Sequence, residues 1–321
     1  MVLKKNTLRI VELFPTFRCQ LSCDMCSIAK YDPDQGNVLS LDEYRALAKE
    51  SARMGAFVMT VLGGEPLLYK ELPELIRIFK REGFYTSIVT NGLLLTQERL
   101  VALKSAGLDC IFMSLESMNE QVNDRIRGKG VFQKVMQGID LVKDSGILLG
   151  ISAVMTPDRM EDAIEVIQYC HDRGINSSGG QIAMVGAAEH SEILSPEQQR
   201  HVRELLKKYP RLTYDWVFSY FFKQRCPAGK EKIGISSFGD IFGCSYNPLS
   251  FGSIRQEPLE EIWQRMQKFT QFSNDFPGCI TAENPHYINH YLAPINAANK
   301  YPMHFSQHPN INPENHPELF E

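Results

Sequence analysis

The sequence predicts an α/β chain: a partial (β/α)6 TIM-like barrel followed by a small C-terminal domain and an irregular tail. Three observations predict it. Short apolar runs alternate with helix-period segments from residue 8 to about 190, the pattern of repeated strand–helix units on a parallel sheet. Gly83, Gly107, Gly146 and Gly174 stand where the helices should stop. Beyond about residue 210 the rhythm changes to a hairpin-like stretch and a single amphipathic helix.

Strands are expected at Leu8–Leu13, Phe57–Leu62, Tyr85–Thr90, Cys110–Leu115, Leu148–Met155 and Gly180–Met184. Helices are expected near 41–54, 71–82, 96–106, 119–126, 131–145, 160–173 and 195–208. Ser40 with Glu43 three positions on reads as a capping box, and Thr96 reads as an N-cap. Six parallel units are too few for a closed eight-stranded barrel, so the sheet should stay open unless the C-terminal part helps to close it. That part offers a hairpin at Lys232–Cys244 and a helix at Leu259–Phe269. The expected division is a barrel over 8–210, a small domain over 211–284 and a tail over 285–321, rich in Asn, Pro and His.

A net charge of -4 gives no basic surface for nucleic acid, and 43% hydrophobic with 22% charged residues is an ordinary globular balance. No apolar run reaches membrane-spanning length, and the N-terminal segment lacks the apolar core of a secretion signal. A cytoplasmic location is therefore expected. Eight cysteines in a reducing compartment call for a metal or redox role more than for disulfides.

Cys19, Cys23 and Cys26 fall on the loop after the first strand, at the sheet end where barrel enzymes build their sites. Three thiolates on one loop suit an iron–sulfur cluster that leaves one iron open to an external molecule. A structural zinc site, or three incidental thiols, are the other readings of the same spacing. Gly63-Gly64-Glu65-Pro66 follows the second strand and Thr90-Asn91-Gly92 the third. Met113-Ser114-Leu115-Glu116 ends the fourth, where alternation puts Ser114 and Glu116 on one face.

Taken in order, these motifs resemble the radical S-adenosylmethionine (SAM) superfamily. The resemblance implies that Cys19, Cys23 and Cys26 hold a [4Fe-4S] cluster that reductively cleaves SAM to a 5′-deoxyadenosyl radical. It implies that Gly63, Gly64, Glu65 and Pro66 meet the methionine amino group, with Asn91 in the following turn and Ser114 and Glu116 on the carboxylate or ribose. The family usually places an aromatic residue before the last cysteine; Met25 stands there and could pack on adenine. Arg127 reads equally as a partner of the SAM carboxylate or as a solvated side chain, and 181–186 as a segment near adenine.

Cys226, Cys244 and Cys279, with Gly239 five positions before Cys244, resemble the SPASM/twitch auxiliary domains of the same superfamily. Three cysteines instead of the full seven imply the shorter twitch-like form with one auxiliary [4Fe-4S] cluster; three buried hydrophobic thiols are the alternative. His286 and His290 share a face if their stretch is helical. Cys110 and Cys170 stand apart, one at the barrel floor and one on an outer helix, poorly placed as hydrogen donors. The expected reaction is hydrogen abstraction from a small polar substrate such as a sugar or aminocyclitol, with net oxidation and a flavodoxin- or ferredoxin-type electron donor. A radical epimerase and a peptide maturase are the alternatives, the latter disfavoured because Cys19 comes without a leader-binding domain before it. A two-cluster electron carrier is the non-enzymatic alternative.

Overall fold

In the computed structural model, which describes residues 6–214 and 225–320, one strand is paired on both sides and organises the rest. β1 (Ile10–Leu13) lies parallel to β2 (Val58–Val61) on one edge and parallel to β8 (Lys232–Ile235) on the other. From β2 the sheet continues in parallel through β3 (Tyr85–Thr90), β4 (Cys110–Ser114), β5 (Leu148–Met155), β6 (Asn176–Gln181) and β7 (Leu212–Tyr214). From β8 it continues antiparallel to β9 (Asp240–Phe242) and β10 (Leu249–Ser253), then parallel to β11 (Met303–His304). The order β11-β10-β9-β8-β1-β2-β3-β4-β5-β6-β7 is a single open sheet.

Helices alternate with the strands as the periodicity predicts: α1 (Leu41–Arg53), α2 (Leu72–Arg81), α3 (Gln97–Ala106), α4 (Glu120–Arg127), α5 (Val131–Lys143), α6 (Met160–Asp172), α7 (Pro196–Lys208) and α8 (Leu259–Lys268). Ser40 accepts from the Glu43 N–H in a complete capping box, and Thr96 caps α3. α2 shows why these helices dock: Leu72, Leu75, Ile76, Ile78 and Phe79 form one buried stripe against the strands. The sheet's inner residues Val11, Leu13, Val61, Ile88, Ile111 and Ile151 are wholly buried.

Three expectations are corrected. A seventh strand of the barrel, β7, was not legible, because Leu-Thr-Tyr is too short to show a period. The sixth strand is Asn176–Gln181, not Gly180–Met184; its polar NSSGGQ run is held by six registered pairs with β5, while the apolar residues after it form a packed loop. The tail is not irregular: it adds β11 to the sheet, followed by short helical turns at Phe305–Gln307 and Pro317–Leu319. Before that, Pro285 opens a helical run that passes through a π-helical turn at Ile288–Leu292 and ends at Ala298. Two of the tail's histidines are buried: His308 meets the Tyr291 carbonyl at 2.9 Å and His316 the Tyr291 hydroxyl at 3.0 Å. None of the described helices is long and apolar enough to cross a membrane.

Tyr291 holds this tail down, with its ring 5.5 Å from Phe269 and 5.0 Å from Tyr287. Tyr291→Ala should therefore lower stability by about 3–5 kcal/mol in denaturant titration followed by circular dichroism. A loss below about 0.5 kcal/mol would mean that the tail is not part of the core.

Candidate functional site

Where β1 ends, the chain turns across the mouth of the sheet and presents Cys19, Cys23 and Cys26. The Leu21 N–H points at Cys19 Sγ (3.4 Å) and the Cys26 N–H bonds the Cys23 carbonyl (3.3 Å), so the loop wraps back around its own thiols. All three line a cavity of about 630 Å3, together with Phe17 and Tyr31. Burial pushes each thiol above its ordinary pKa, Cys23 up to about 11, while the Arg127 cation works in the opposite sense on all three. Among the described residues no group of three His, Cys, Asp or Glu side chains converges on a single-ion site. A spread trio of thiols with a cation at its back fits an anionic multi-iron cluster, whose binding would displace the thiol protons.

The Gly63-Gly64-Glu65-Pro66 segment meets the backbone of this loop. The Gly64 N–H bonds the Thr16 carbonyl (2.8 Å) and the Glu65 N–H bonds the Arg18 carbonyl (2.9 Å). A Cβ on Gly64 would lie 2.0 Å from the Arg18 oxygen, so only glycine allows the two loops to touch. The Glu65 side chain is fully buried and already engaged. It accepts from the Thr90 hydroxyl (2.6 Å), the Asn91 N–H (2.8 Å) and the Leu67 N–H (3.0 Å). Burial raises its pKa while these three donors oppose the rise. Asn91 donates in turn to Cys19 Sγ at 3.8 Å and accepts from Gln20. Motifs separated by dozens of residues thus form one bonded frame around the first thiol.

Glu116 and Arg127 form the electrostatic centre. Arg127 donates from Nε to Glu116 at 2.9 Å and makes a second contact through Nη2, and the Val154 N–H reaches the other Glu116 oxygen at 2.7 Å. Burial works against the charge on Arg127, but Glu116 and then Cys23 outweigh it, and its pKa rises. Of the two readings of Arg127, the solvated one is excluded: its side chain is 10% exposed. Ser114 lies in register with Ser152 of β5 at the same end of the sheet. Met25 packs with Ile126, Ile182 and Ala188 in a small apolar cluster that also touches Cys23. The segment after β6 borders the cysteine loop as well, since the Ala187 N–H bonds the Cys26 carbonyl at 2.9 Å.

The second cysteine set is brought together from three separate stretches. Cys226, Cys244 and Cys279 are all buried, and the charges of Cys226 and Cys279 both act on Cys244. Glu283 anchors the last of them: it accepts from the Cys279 N–H (3.2 Å), from Gln181 at the end of β6 (2.7 Å) and from Arg203 on α7 (3.1 Å). Sequence reasoning missed Glu283 and Gln181 as partners, because nothing local marks a contact across 102 positions. Cys110 lies under Tyr85 at the opposite end of the sheet, and Cys170 is buried on the inner face of α6. His286 and His290 do share a helical face, with rings stacked 5.2 Å apart.

Comparison with known proteins agrees with this layout. Residues 13–170 match the model of the Radical SAM superfamily, and residues 226–284 match that of an iron–sulfur cluster-binding domain known as SPASM. The chain is similar to an AdoMet-dependent heme synthase of Methanosarcina barkeri, 24% identical over 299 residues that cover 84% of this chain and 86% of that one. It is similar to a PqqA peptide cyclase of Granulibacter bethesdensis, 28% identical over 280 residues, 80% of this chain and 74% of that one. In fold it resembles SuiB of Streptococcus suis bound to S-adenosylmethionine, with a TM-score of 0.65 at 18% identity over 80% of this chain and 66% of that one. It also resembles anSMEcpe with bound AdoMet, with a TM-score of 0.62 at 15% identity and 80% of each chain.

The bonding of Glu65 separates a frame role from direct ligand binding. Glu65→Ala leaves three buried donors without an acceptor and should cost about 3 kcal/mol or more, whereas Glu65→Gln keeps one acceptor oxygen and should cost about 1–2 kcal/mol. Denaturant unfolding of both variants checks this. Wild-type stability in Glu65→Ala would show that the carboxylate does not hold the frame.

Proposed function

The chain belongs to the radical SAM superfamily and carries its SPASM iron–sulfur domain, and on that premise we propose that it is a radical enzyme modifying a peptide. The observation that carries the radical chemistry is the cavity itself: three thiols open on it beside the buried Glu116–Arg127 pair. In this reading Cys19, Cys23 and Cys26 hold the SAM-cleaving [4Fe-4S] cluster, and Cys226, Cys244 and Cys279 hold an auxiliary one. When bound, the first cluster supplies the electron that splits SAM and so provides the radical that takes hydrogen from substrate.

The chain's own groups then have separable tasks. Gly63, Gly64, Glu65 and Pro66 hold the cysteine loop at a fixed height over β2, and leave their outer edge to the methionine end of SAM. Asn91 donates toward Cys19 and steadies its sulfur. Arg127 balances the negative charge that the thiolates bring, and Glu116 fixes where that cation sits. Ser114 offers a hydroxyl beside the pair for a polar group of SAM. Met25 with Ile182 forms an apolar wall fit for the adenine. Tyr31 and Phe17 close the cavity and exclude water from it. A flavodoxin- or ferredoxin-type protein is the expected electron source.

A peptide substrate is favoured over the small polar molecule expected from the sequence. PqqA peptide cyclases from three bacteria are each 28% identical over about 280 residues. A separate recognition protein can present such a peptide to the site. The heme synthase covers more of both chains, and this supports a non-peptide substrate as the second reading.

Anaerobically reconstituted, reduced protein should form 5′-deoxyadenosine from SAM, and the Cys19→Ala, Cys23→Ala, Cys26→Ala triple variant should form none. Synthetic peptides encoded by short reading frames beside the gene should raise the rate at least tenfold, while sugars and aminocyclitols leave it unchanged. Stimulation by the small molecules alone would reverse the choice of substrate, and an active triple variant would remove the radical reading altogether.

A further inference from the structure

The seam between β1 and β8 carries a group of charges that the proposed chemistry does not use. Glu12 on β1 and Lys232 on β8 are both buried, at 7% and 6% exposed, and form an ion pair at 2.9 Å. Glu12 does more than neutralise the lysine. Its second oxygen accepts the N–H of Ser245 at 2.8 Å, the residue directly after Cys244. Lys232 lies at the end of the turn that begins at Cys226, where the Pro227 carbonyl accepts the N–H groups of Lys230, Glu231 and Lys232 at 3.0, 3.0 and 3.2 Å. The pair is therefore fastened by hydrogen bonds to the residues that directly follow two of the three auxiliary cysteines, Ser245 after Cys244 and Pro227 after Cys226.

The charges act where this geometry puts them. The Glu12 carboxylate sits one residue from Cys244, through the Ser245 N–H, and the Lys232 ammonium 2.9 Å beyond it. A strand pairing such as β1 with β8 is ordinarily built from apolar side chains, and burying two ions is commonly no more stable than packing hydrocarbon in their place. What a buried pair does offer is two opposite, fixed charges beside a redox group, in a medium that screens them poorly. Cluster reduction adds one negative charge to the site, so a nearby cation favours it and a nearby anion opposes it.

We propose that Glu12 and Lys232 are the residues that set the reduction potential of the auxiliary cluster, opposing one another as a matched pair held on β1 and β8. This deepens the reading above and rests on a cluster at Cys226, Cys244 and Cys279. They are positioning residues: they touch the backbone beside the cysteines and no substrate. Because Glu12 is on the strand that leads into the loop of Cys19, Cys23 and Cys26, the tuning device is built into the element shared by both sites.

The test is an EPR-monitored redox titration of the reconstituted full chain, in which the auxiliary signal is the one unchanged by adding SAM. In Glu12→Gln the reduced-to-oxidised ratio of that signal at fixed potential should rise at least tenfold, about 59 mV for a one-electron couple. In Lys232→Gln it should fall by a similar factor. The Glu12→Gln, Lys232→Gln double variant should return within about threefold of the unmodified protein. Shifts of the same sign, no shift, or loss of the auxiliary signal from any variant would overturn the proposal and make the pair part of the scaffold. Absence of a second signal in the unmodified protein would overturn the underlying reading instead.

Discussion

The parallel pairing of β1 with β2 on one side and β8 on the other is the constraint on which the rest of this structure depends. A strand inside a parallel sheet must be covered on both faces and bonded along both edges. Here the bonds on the second edge come from the C-terminal part of the chain, at Ile10 with Lys232 through Leu13 with Ile235. The SPASM region is thus an extension of the barrel sheet and not an appendage on a linker. The loop bearing Cys19, Cys23 and Cys26 leaves the end of that strand, and Cys244 is bonded through Ser245 to its middle. Both cysteine sets are tied to one rigid element.

The site also shows how buried charge is made tolerable. Glu65, Glu116 and Glu283 are all nearly inaccessible, yet each accepts from donors on at least two different segments. In a low-dielectric interior an ion without partners would shift its pKa or unfold its surroundings. These carboxylates work as nodes that tie the loops at the strand ends to one another, which is how a mouth made of irregular segments acquires the fixed geometry that radical chemistry requires.

Much of this was legible because strong local patterns agree with the fold. Ser40 with Glu43, Thr96 and the glycine stops bounded the helices to within about two residues, and the ordered motifs pointed to one end of the sheet. What was hidden depends on distance or on polarity. β7 is three residues long, and β6 is a polar strand whose stability comes from its neighbours and not from an apolar run. The bonded state of Glu65 could not be read from Gly-Gly-Glu-Pro, since its partners Thr90 and Asn91 belong to another unit. Arg127 stood at the far end of α4, 11 positions beyond Glu116, and only packing could decide between solvent and the buried Glu116. The tail looked irregular because Asn and Pro mask helical propensity, while Tyr291, among aromatic and histidine rings, supplies the tertiary support.

The shared strand also has a consequence in time. β1 is made well before β8, and Glu12 cannot meet Ser245 until a further 233 positions have followed it. At about 5–20 residues per second that wait is on the order of ten seconds or more. Throughout it the edge of β1 that will receive β8 has unpaired N–H and C=O groups, the kind of edge that recruits wrong partners. The three thiols of the following loop lie beside it. Newly made chains therefore pass through a period in which the loop of Cys19, Cys23 and Cys26 is complete in sequence while the strand that carries it is still unsupported along one edge, until the C-terminal strands close it.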